Sequence, residues 1–173
     1  VDTLPGLSIR DIGSVLIGQV LMLVPFLLAR QFLADENGLR ELLLAFMVGG
    51  VIYSVPSLFE IRFSPQLNTW IYGFFQHSFE QMMRNGGFRP IVFLPHALWL
   101  ALFMCIALLS AVALARQTPV IDRWKMLLLA GYLAVVLLLC KSLASLAYAL
   151  LLVPMVLLTP ARCHTRPALD VAL

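Results

Sequence analysis

The sequence predicts an all-α membrane protein, a polytopic transmembrane helical bundle of about five membrane helices with one external interfacial amphipathic helix. The first reason is composition, since 61% of the 173 residues are hydrophobic, only 12% are charged, and the mean hydropathy is +0.94. A soluble domain of this length needs far more polar surface to cover its core. The second reason is arrangement, because the apolar residues form runs close to the roughly 20 residues that cross hydrocarbon.

We predict the first two membrane spans at 12–28 and 42–59, on either side of a polar turn. Pro25 is expected to kink the first span near one end. Gly49-Gly50 and Pro56 favour a flexible or closely packed second span, and both residue types are more frequent in membrane helices than in soluble ones.

Two further stretches supply the remaining spans. The third span is predicted at 94–115, with Pro95 at the first helical position and His96 in the first turn. The apolar stretch 126–158 is too long for one crossing, so Lys141-Ser142 is predicted to split it into two short helices that meet at one membrane face. A single tilted helix with Lys141 buried is the costlier alternative.

The long loop, residues 60–93, carries a helical pattern at 67–84. Apolar residues recur at intervals of three and four, and polar residues occupy the opposite face, which predicts an amphipathic helix on the bilayer surface. Gly86-Gly87 is expected to end this helix. The apolar face comprises Leu67, Trp70, Ile71, Phe74, Phe75, Phe79, Met82 and Met83.

Residues 1–173 are predicted to form a single membrane domain that ends in a polar basic tail, 161–173. The chain begins at Val1 and enters a membrane segment almost at once, without the features of a signal peptide. We therefore expect a piece of a longer protein that has further helices, and we expect this piece to be inactive alone.

The distribution of Arg and Lys predicts the orientation of the chain in the membrane. The richer side is predicted to be cytoplasmic, which makes the protein a multi-pass protein of the bacterial inner membrane with the 60–93 loop in the periplasm. The external side holds Arg10, Arg62, Arg84, Arg89 and Lys141, and the cytoplasmic side holds Arg30, Arg40, Arg116, Arg123, Lys125, Arg162 and Arg166.

Arg89 and His96 flank the entry to the third span, in the segment GGFRPIVFLPH. The start of a helix exposes unpaired N–H groups and a positive dipole end, so these two side chains predict an anion site at the membrane surface. Diphosphate on a lipid carrier is the anion expected at that depth. The alternatives are that Arg62 and Arg89 snorkel to lipid phosphates and that His96 is only a polar residue at a helix end.

Three other residues of this external side are interpreted individually. Lys141, an ion within an apolar stretch, is predicted to be functional. His77 is interpreted as a solvated residue on the polar face of the amphipathic helix. Glu80 and Arg84 have the spacing of an i,i+4 ion pair.

No other chemistry is indicated by the sequence. The net charge of +3 is too small and too scattered to indicate nucleic-acid binding. No nucleotide-binding, zinc-protease or nucleophile-elbow motif is present. Cys105, Cys140 and Cys163 provide no disulfide framework, and Cys163-His164 lacks the residues that would complete a metal site. We expect neither a metal nor a cofactor.

Two segments resemble the O-antigen ligase and O-antigen polymerase family. Residues 60–103, EIRFSPQLNTWIYGFFQHSFEQMMRNGGFRPIVFLPHALWLALF, resemble the external loop of that family, including the glycine-rich Gly86-Gly87-Phe88. Residues 133–154, LAVVLLLCKSLASLAYALLLVP, resemble its pair of apolar runs with a break between them. Lys141-Ser142 stands at the break in place of the family's Ser-Arg.

The resemblance implies a metal-independent, membrane-embedded glycosyltransferase of lipopolysaccharide or polysaccharide biosynthesis. Such an enzyme takes a glycan from undecaprenyl diphosphate and attaches it to a sugar hydroxyl of lipid A-core or of a growing glycan. On this resemblance Arg62 and Arg89 bind the diphosphate, Lys141 adds charge to the same face, and His96 is the acid/base candidate. A lipid-linked sugar transporter or flippase, and a non-catalytic membrane subunit that docks a partner, are the alternatives.

Overall fold

The computed structural model describes residues 9–84 and 86–159, and the predicted tail 161–173 lies outside these residues. The chain forms two compact units, Val1–Leu42 and Leu43–Leu173. The elements, in chain order, are α1 (Ile9–Phe32), α2 (Glu36–Phe63), α3 (Leu67–Tyr72), a 3₁₀ turn (Phe79–Met82), β1 (Met83–Arg84), β2 (Gly87–Phe88), α4 (Ala97–Gln117), α5 (Val120–Leu139) and α6 (Leu143–Leu158).

The first unit contains α1 and the beginning of α2. The most apolar stretch of α1 is 0% buried. Helix α2 starts before the predicted residue 42 because Asp35 caps it. The Asp35 carboxylate accepts a hydrogen bond from the Gly38 N–H at 3.0 Å, which satisfies one of the N–H groups at the helix start.

The predicted helical membrane protein is confirmed at a coarse level. Helices α1, α2 and α4 are long and apolar enough to cross a bilayer. Helix α5 has 20 residues but carries its charged residues near its start, and α6 has only 16. At 1.5 Å per residue, α6 is about 24 Å long, shorter than the roughly 30 Å of a hydrocarbon core. A total of five crossings stays a prediction.

The predicted break in the apolar stretch 126–158 is confirmed. Helix α5 ends at Leu139 and α6 begins at Leu143, with Ser142 at the N-cap position. Between the two helices Lys141 has a φ of 50°, in the left-handed region that side chains other than glycine rarely adopt. The alternative of a single tilted helix is therefore wrong.

Helix α4 is the centre of the second unit. Its most apolar stretch is 61% buried, against 22% for α2, and it packs against both α5 and α6. Helix α2 approaches α4 closely at Gly50, where an added Cβ would overlap the Cβ of Ala107. Beside this contact the rings of Tyr53 and Phe103 meet edge to face at 5.7 Å. Small residues at such a crossing allow the two backbones to approach, as in many membrane helix pairs.

Two arginines bind backbone carbonyls at the C-terminal end of α4. Arg116 Nη1 donates to the carbonyl of Val156, one of the last carbonyls of α6. Arg123 Nε donates to the carbonyl of Ala115 at 3.1 Å. Carbonyls in the last turn of a helix have no partner within that helix, so each arginine satisfies a group that would otherwise lack one. The loop that carries Arg89 lies at the other end of α4.

The predicted amphipathic helix over 67–84 is wrong. Helix α3 ends at Tyr72 because Gly73 takes a φ of 79° and closes the last turn. Asn68 Nδ2 then donates to the carbonyl of Phe74 at 2.8 Å, and Gln76 Nε2 donates to that of Val92 at 2.7 Å. These bonds fold the following residues back over the start of α4, so the chain continues into a 3₁₀ turn and a two-stranded hairpin.

Candidate anion site at the start of α4

The loop is organised around one buried carboxylate, that of Glu60 in the last turn of α2. Glu60 is 0% exposed. Its Oε2 accepts the backbone N–H groups of Ile91 at 2.9 Å and Val92 at 2.7 Å, and its Oε1 accepts that of Leu67 at 3.2 Å. A carboxylate removed from water needs such charge-assisted hydrogen bonds, because burial without them is very costly. Glu60 thus connects the end of α2 to the residues that precede α4.

Arg89 comes directly after strand β2 and is held by its backbone. Its N–H donates to the carbonyl of Met82 at 2.8 Å, which extends the pairing of the hairpin. The side chain is only 5% exposed, and its Nε and Nη2 have no hydrogen-bond partner among residues 9–84 and 86–159. Burial lowers the pKa of the Arg89 guanidinium, and the positive charge of Arg84 lowers it further. Because an arginine in a protein stays charged, Arg89 is an enclosed cation with no anionic partner in the part of the chain that the structure describes.

Nε and Nη2 form one edge of the Arg89 guanidinium. Two parallel N–H groups on such an edge match two oxygens of a phosphate or carboxylate. Both nitrogens are enclosed in this conformation, so an anion reaches them only after a local shift of the side chains that cover them. Each unsatisfied buried donor is unfavourable by about 1–3 kcal/mol, and this cost favours such a shift when a ligand is present.

Lys141 reaches the same hairpin from the break between α5 and α6. Its Nζ donates to the carbonyl of Arg84 at 2.8 Å. The ammonium lies so close to Gly87 that an added Cβ there would be 2.5 Å from Nζ. The sequence interpretation of Gly86-Gly87 as a helix stop is therefore wrong. Gly87 leaves space for the lysine, and Gly86 has a φ of 69° in the turn of the hairpin. Cys140, next to Lys141, also lies near enough to Arg89 to influence its pKa.

The sequence predicted His96 in the first turn of α4. The structure places it one position earlier, as the N-cap residue of that helix. Its backbone is extended, with φ −153° and ψ 147°, and its Nδ1 accepts the N–H of Leu98 at 3.0 Å. Burial lowers the pKa of His96, and the neighbouring His77 and Arg89 lower it further. The neutral ring is therefore favoured, and with Nδ1 accepting a hydrogen bond its proton lies on Nε2.

His77 stands beside His96 rather than on a helix face. The two imidazole rings meet edge to face with their centroids 4.4 Å apart. His77 Nδ1 accepts the N–H of Ser78 at 2.6 Å, so the second ring also uses Nδ1 as an acceptor. The two rings meet because the loop folds back after Gly73. The predicted continuous helix over 67–84 does not fold back in this way.

Arg62 is the predicted site residue that the structure does not bring to the others. It is exposed in the last turn of α2, and its guanidinium lies 5.8 Å from the ring centroid of Phe63. Two helical positions separate it from Glu60, a rotation of about 200°, so the two side chains leave α2 on nearly opposite faces. The predicted Glu80–Arg84 ion pair is also absent, because Glu80 lies in the 3₁₀ turn and Arg84 in β1.

Sequence reasoning missed Glu60 and His77 as parts of the site. The available signal for Glu60 was an acid in the last turn of an apolar helix, directly before a loop rich in unpaired backbone groups. No comparable signal marked His77, since only the path of the loop places it next to His96. Within residues 9–84 and 86–159, no group of three or more His, Cys, Asp or Glu side chains is placed to hold a metal ion.

In comparisons with known proteins, no family model matches the chain, and no curated protein and no solved structure matches it. The class of protein therefore follows from the chain itself. It is a helical membrane protein in which a capping histidine starts one apolar helix, and a buried arginine and a lysine lie at the hairpin that precedes it.

Proposed function

We propose that this protein binds the diphosphate of an undecaprenyl-linked glycan at the external face of the inner membrane and transfers that glycan to a sugar hydroxyl. The observation that supports the proposal best is the buried edge of Arg89. Its Nε and Nη2 lack partners among the described residues, and Lys141 contacts the same hairpin. Such an edge suits phosphate oxygens, and its place at the start of a membrane helix suits a lipid headgroup.

The reaction proposed is a substitution at the anomeric carbon of the donor sugar. The oxygen of the acceptor hydroxyl forms a bond to this carbon while the bond from the carbon to the diphosphate oxygen breaks. The electron pair of the broken bond stays on the diphosphate, and the proton of the hydroxyl passes to the released diphosphate. Arg89 and Lys141 stabilise the negative charge that develops on the leaving group, which is where fixed positive charges contribute most to rate.

His96 is the acid/base candidate in this scheme, and the hydrogen bond that its Nδ1 accepts leaves only Nε2 to face a ligand. Nδ1 accepts the Leu98 N–H, so the neutral ring presents an N–H at Nε2. In this tautomer His96 donates a hydrogen bond to a diphosphate oxygen. It acts as a base toward the acceptor hydroxyl only if the cap on α4 is released. Arg62, which is exposed and distant along the helix surface, is a weaker candidate for the diphosphate.

The test expresses the protein in two Gram-negative strains, one that lacks its own O-antigen ligase and one that lacks its own O-antigen polymerase. Surface polysaccharide is compared on gels for wild type, Arg89→Ala and Arg84→Ala at equal expression. Arg84 is the matched control because it is an exposed arginine of the same hairpin. We expect Arg89→Ala to lose activity by about a hundredfold or more, since removing one charged group at a leaving-group site costs about 2.7–4 kcal/mol of barrier, and Arg84→Ala to retain it.

The pattern of products distinguishes the remaining alternatives. Loss of glycan on lipid A-core with precursor accumulating in the periplasm supports a ligase, and capped core with shortened chains supports a polymerase. Precursor held on the cytoplasmic side contradicts both and supports the flippase. Equal activity of Arg89→Ala and wild type contradicts the assigned site.

A further inference from the structure

The inference concerns Glu60, the most completely enclosed acid of the described residues. Two successive backbone N–H groups, those of Ile91 and Val92, converge on its Oε2 at 2.9 and 2.7 Å. Val92 has a φ of 54°, in the left-handed region, and this turn of the backbone directs both groups to one point. Successive N–H groups arranged in this way form a concave anion-binding nest. Here the anion in the nest is the carboxylate of the protein itself.

The nest lies two residues after Arg89 in the chain. The 89–92 segment therefore carries both the N–H groups that bind Glu60 and the buried cation of the candidate site, Arg89. Glu60 and Arg89 form no ion pair, since the two Glu60 oxygens accept three backbone N–H groups instead. The Nε and Nη2 donors of Arg89 therefore remain available for an external anion.

We propose that Glu60 is a positioning residue that fastens the 89–92 segment to the end of α2 and keeps the Arg89 donors available for the ligand. The inference rests on the proposed function, because it assigns Arg89 to the binding of diphosphate. Its physical basis is that the Glu60 carboxylate accepts hydrogen bonds from backbone N–H groups and not from the Arg89 guanidinium. The two Glu60 oxygens accept three backbone N–H groups, at 2.7, 2.9 and 3.2 Å, and accept none from the Arg89 guanidinium, so the carboxylate does not occupy the Nε and Nη2 donors.

Two variants of Glu60 separate positioning from folding. Glu60→Gln keeps one acceptor oxygen, which continues to accept two N–H groups, but it turns an NH₂ donor toward the remaining N–H and removes the negative charge. Glu60→Ala removes all three contacts and is the harsher variant. Glu80→Gln is the matched control, because Glu80 is an exposed acid of the same loop.

The probe is undecaprenyl diphosphate without glycan, titrated into the full-length protein in phosphatidylcholine nanodiscs. We expect Glu60→Gln to bind about tenfold more weakly, because Ile91 and Val92 donate weaker hydrogen bonds to a neutral amide oxygen than to a carboxylate, so the 89–92 segment is held less firmly for the ligand. Glu80→Gln is expected to bind as wild type does. Hydrogen exchange is expected to accelerate at the Ile91 and Val92 amides but not within α4. In an Arg89→Ala background, Glu60→Gln is expected to cause no further loss of binding.

The outcomes separate this inference from the proposed function. Weakened binding in Arg89→Ala together with wild-type binding in Glu60→Gln overturns the inference and leaves the proposed function standing. Wild-type binding in Arg89→Ala overturns the proposed function. If Glu60→Gln fails to fold, or if exchange accelerates throughout α4, Glu60 has a general structural role and the positioning inference is wrong.

Discussion

The close approach of α2 and α4 at Gly50 makes a prediction whose size follows from the structure. An added Cβ at Gly50 would overlap the Cβ of Ala107, a backbone-anchored methyl group that cannot rotate away. The Gly50→Ala variant therefore has to separate or bend the two helices. Overpacking of this kind costs about 1–3 kcal/mol, and we expect the free energy of unfolding to fall by that amount.

The measurement is reversible unfolding of the protein in mixed micelles with increasing SDS. Gly131→Ala is the control, because nothing lies within 4 Å of a Cβ added to Gly131 in α5. This control is expected to leave stability unchanged or to raise it by up to about 1 kcal/mol, the difference in helix propensity between Gly and Ala.

A second variant makes the prediction specific to the contact. Ala107→Gly removes the methyl group that the new Cβ would meet, so the double variant Gly50→Ala/Ala107→Gly is expected to recover part of the lost stability. The assigned crossing of α2 and α4 would be refuted if Gly50→Ala were as stable as wild type. It would also be refuted if the stability change of the double variant equalled the sum of the changes in the two single variants.

Two further predictions concern the ends of α4. Burial and the neighbouring His77 and Arg89 hold the pKa of His96 below its usual value. As pH falls below about 6.5 the unfolded chain therefore takes up a proton first, so stability that is present above that pH is lost toward lower pH. Thermal unfolding between pH 8 and pH 5 should show this loss in wild type and less of it in His96→Asn, which keeps an N-cap side chain; parallel profiles would contradict the role of His96. At the other end, Arg116→Gln should lower the free energy of unfolding by about 1–3 kcal/mol, because it removes a charged donor from a helix-end carbonyl. Lys125→Gln, which removes an exposed ion pair with Asp122 and an exposed contact with the Trp124 ring, should change it by about 1 kcal/mol at most, and equal effects of the two variants would contradict this account.

The sequence predicted the spans better than their ends. The apolar runs located α1, α2 and α4, and the ion within the last run located the break at Lys141. Side-chain caps decided the ends. Asp35 starts α2 early and His96 starts α4 late, because each side chain accepts a backbone N–H two or three residues ahead. Hydropathy contains no information about such bonds.

The site was predicted in part. The sequence indicated Arg89, His96 and Lys141, and the structure places all three around the hairpin and the start of α4. Arg62 is exposed elsewhere on α2, although it precedes the same loop. The roles assigned to these residues stay predictions, since position alone does not establish what they bind.

The sequence by itself determined that this protein belongs in a membrane, because apolar runs of that length have no stable alternative in water. It also determined that positive charge collects beside the third span. Only the tertiary structure decided which charges meet and which stay available. The loop after Gly73 folds back instead of continuing as a helix, and this return brings the N–H groups of Ile91 and Val92 to Glu60. Hydrogen bonds between residues some thirty positions apart depend on the path of the chain, and a periodic pattern within one segment does not encode that path.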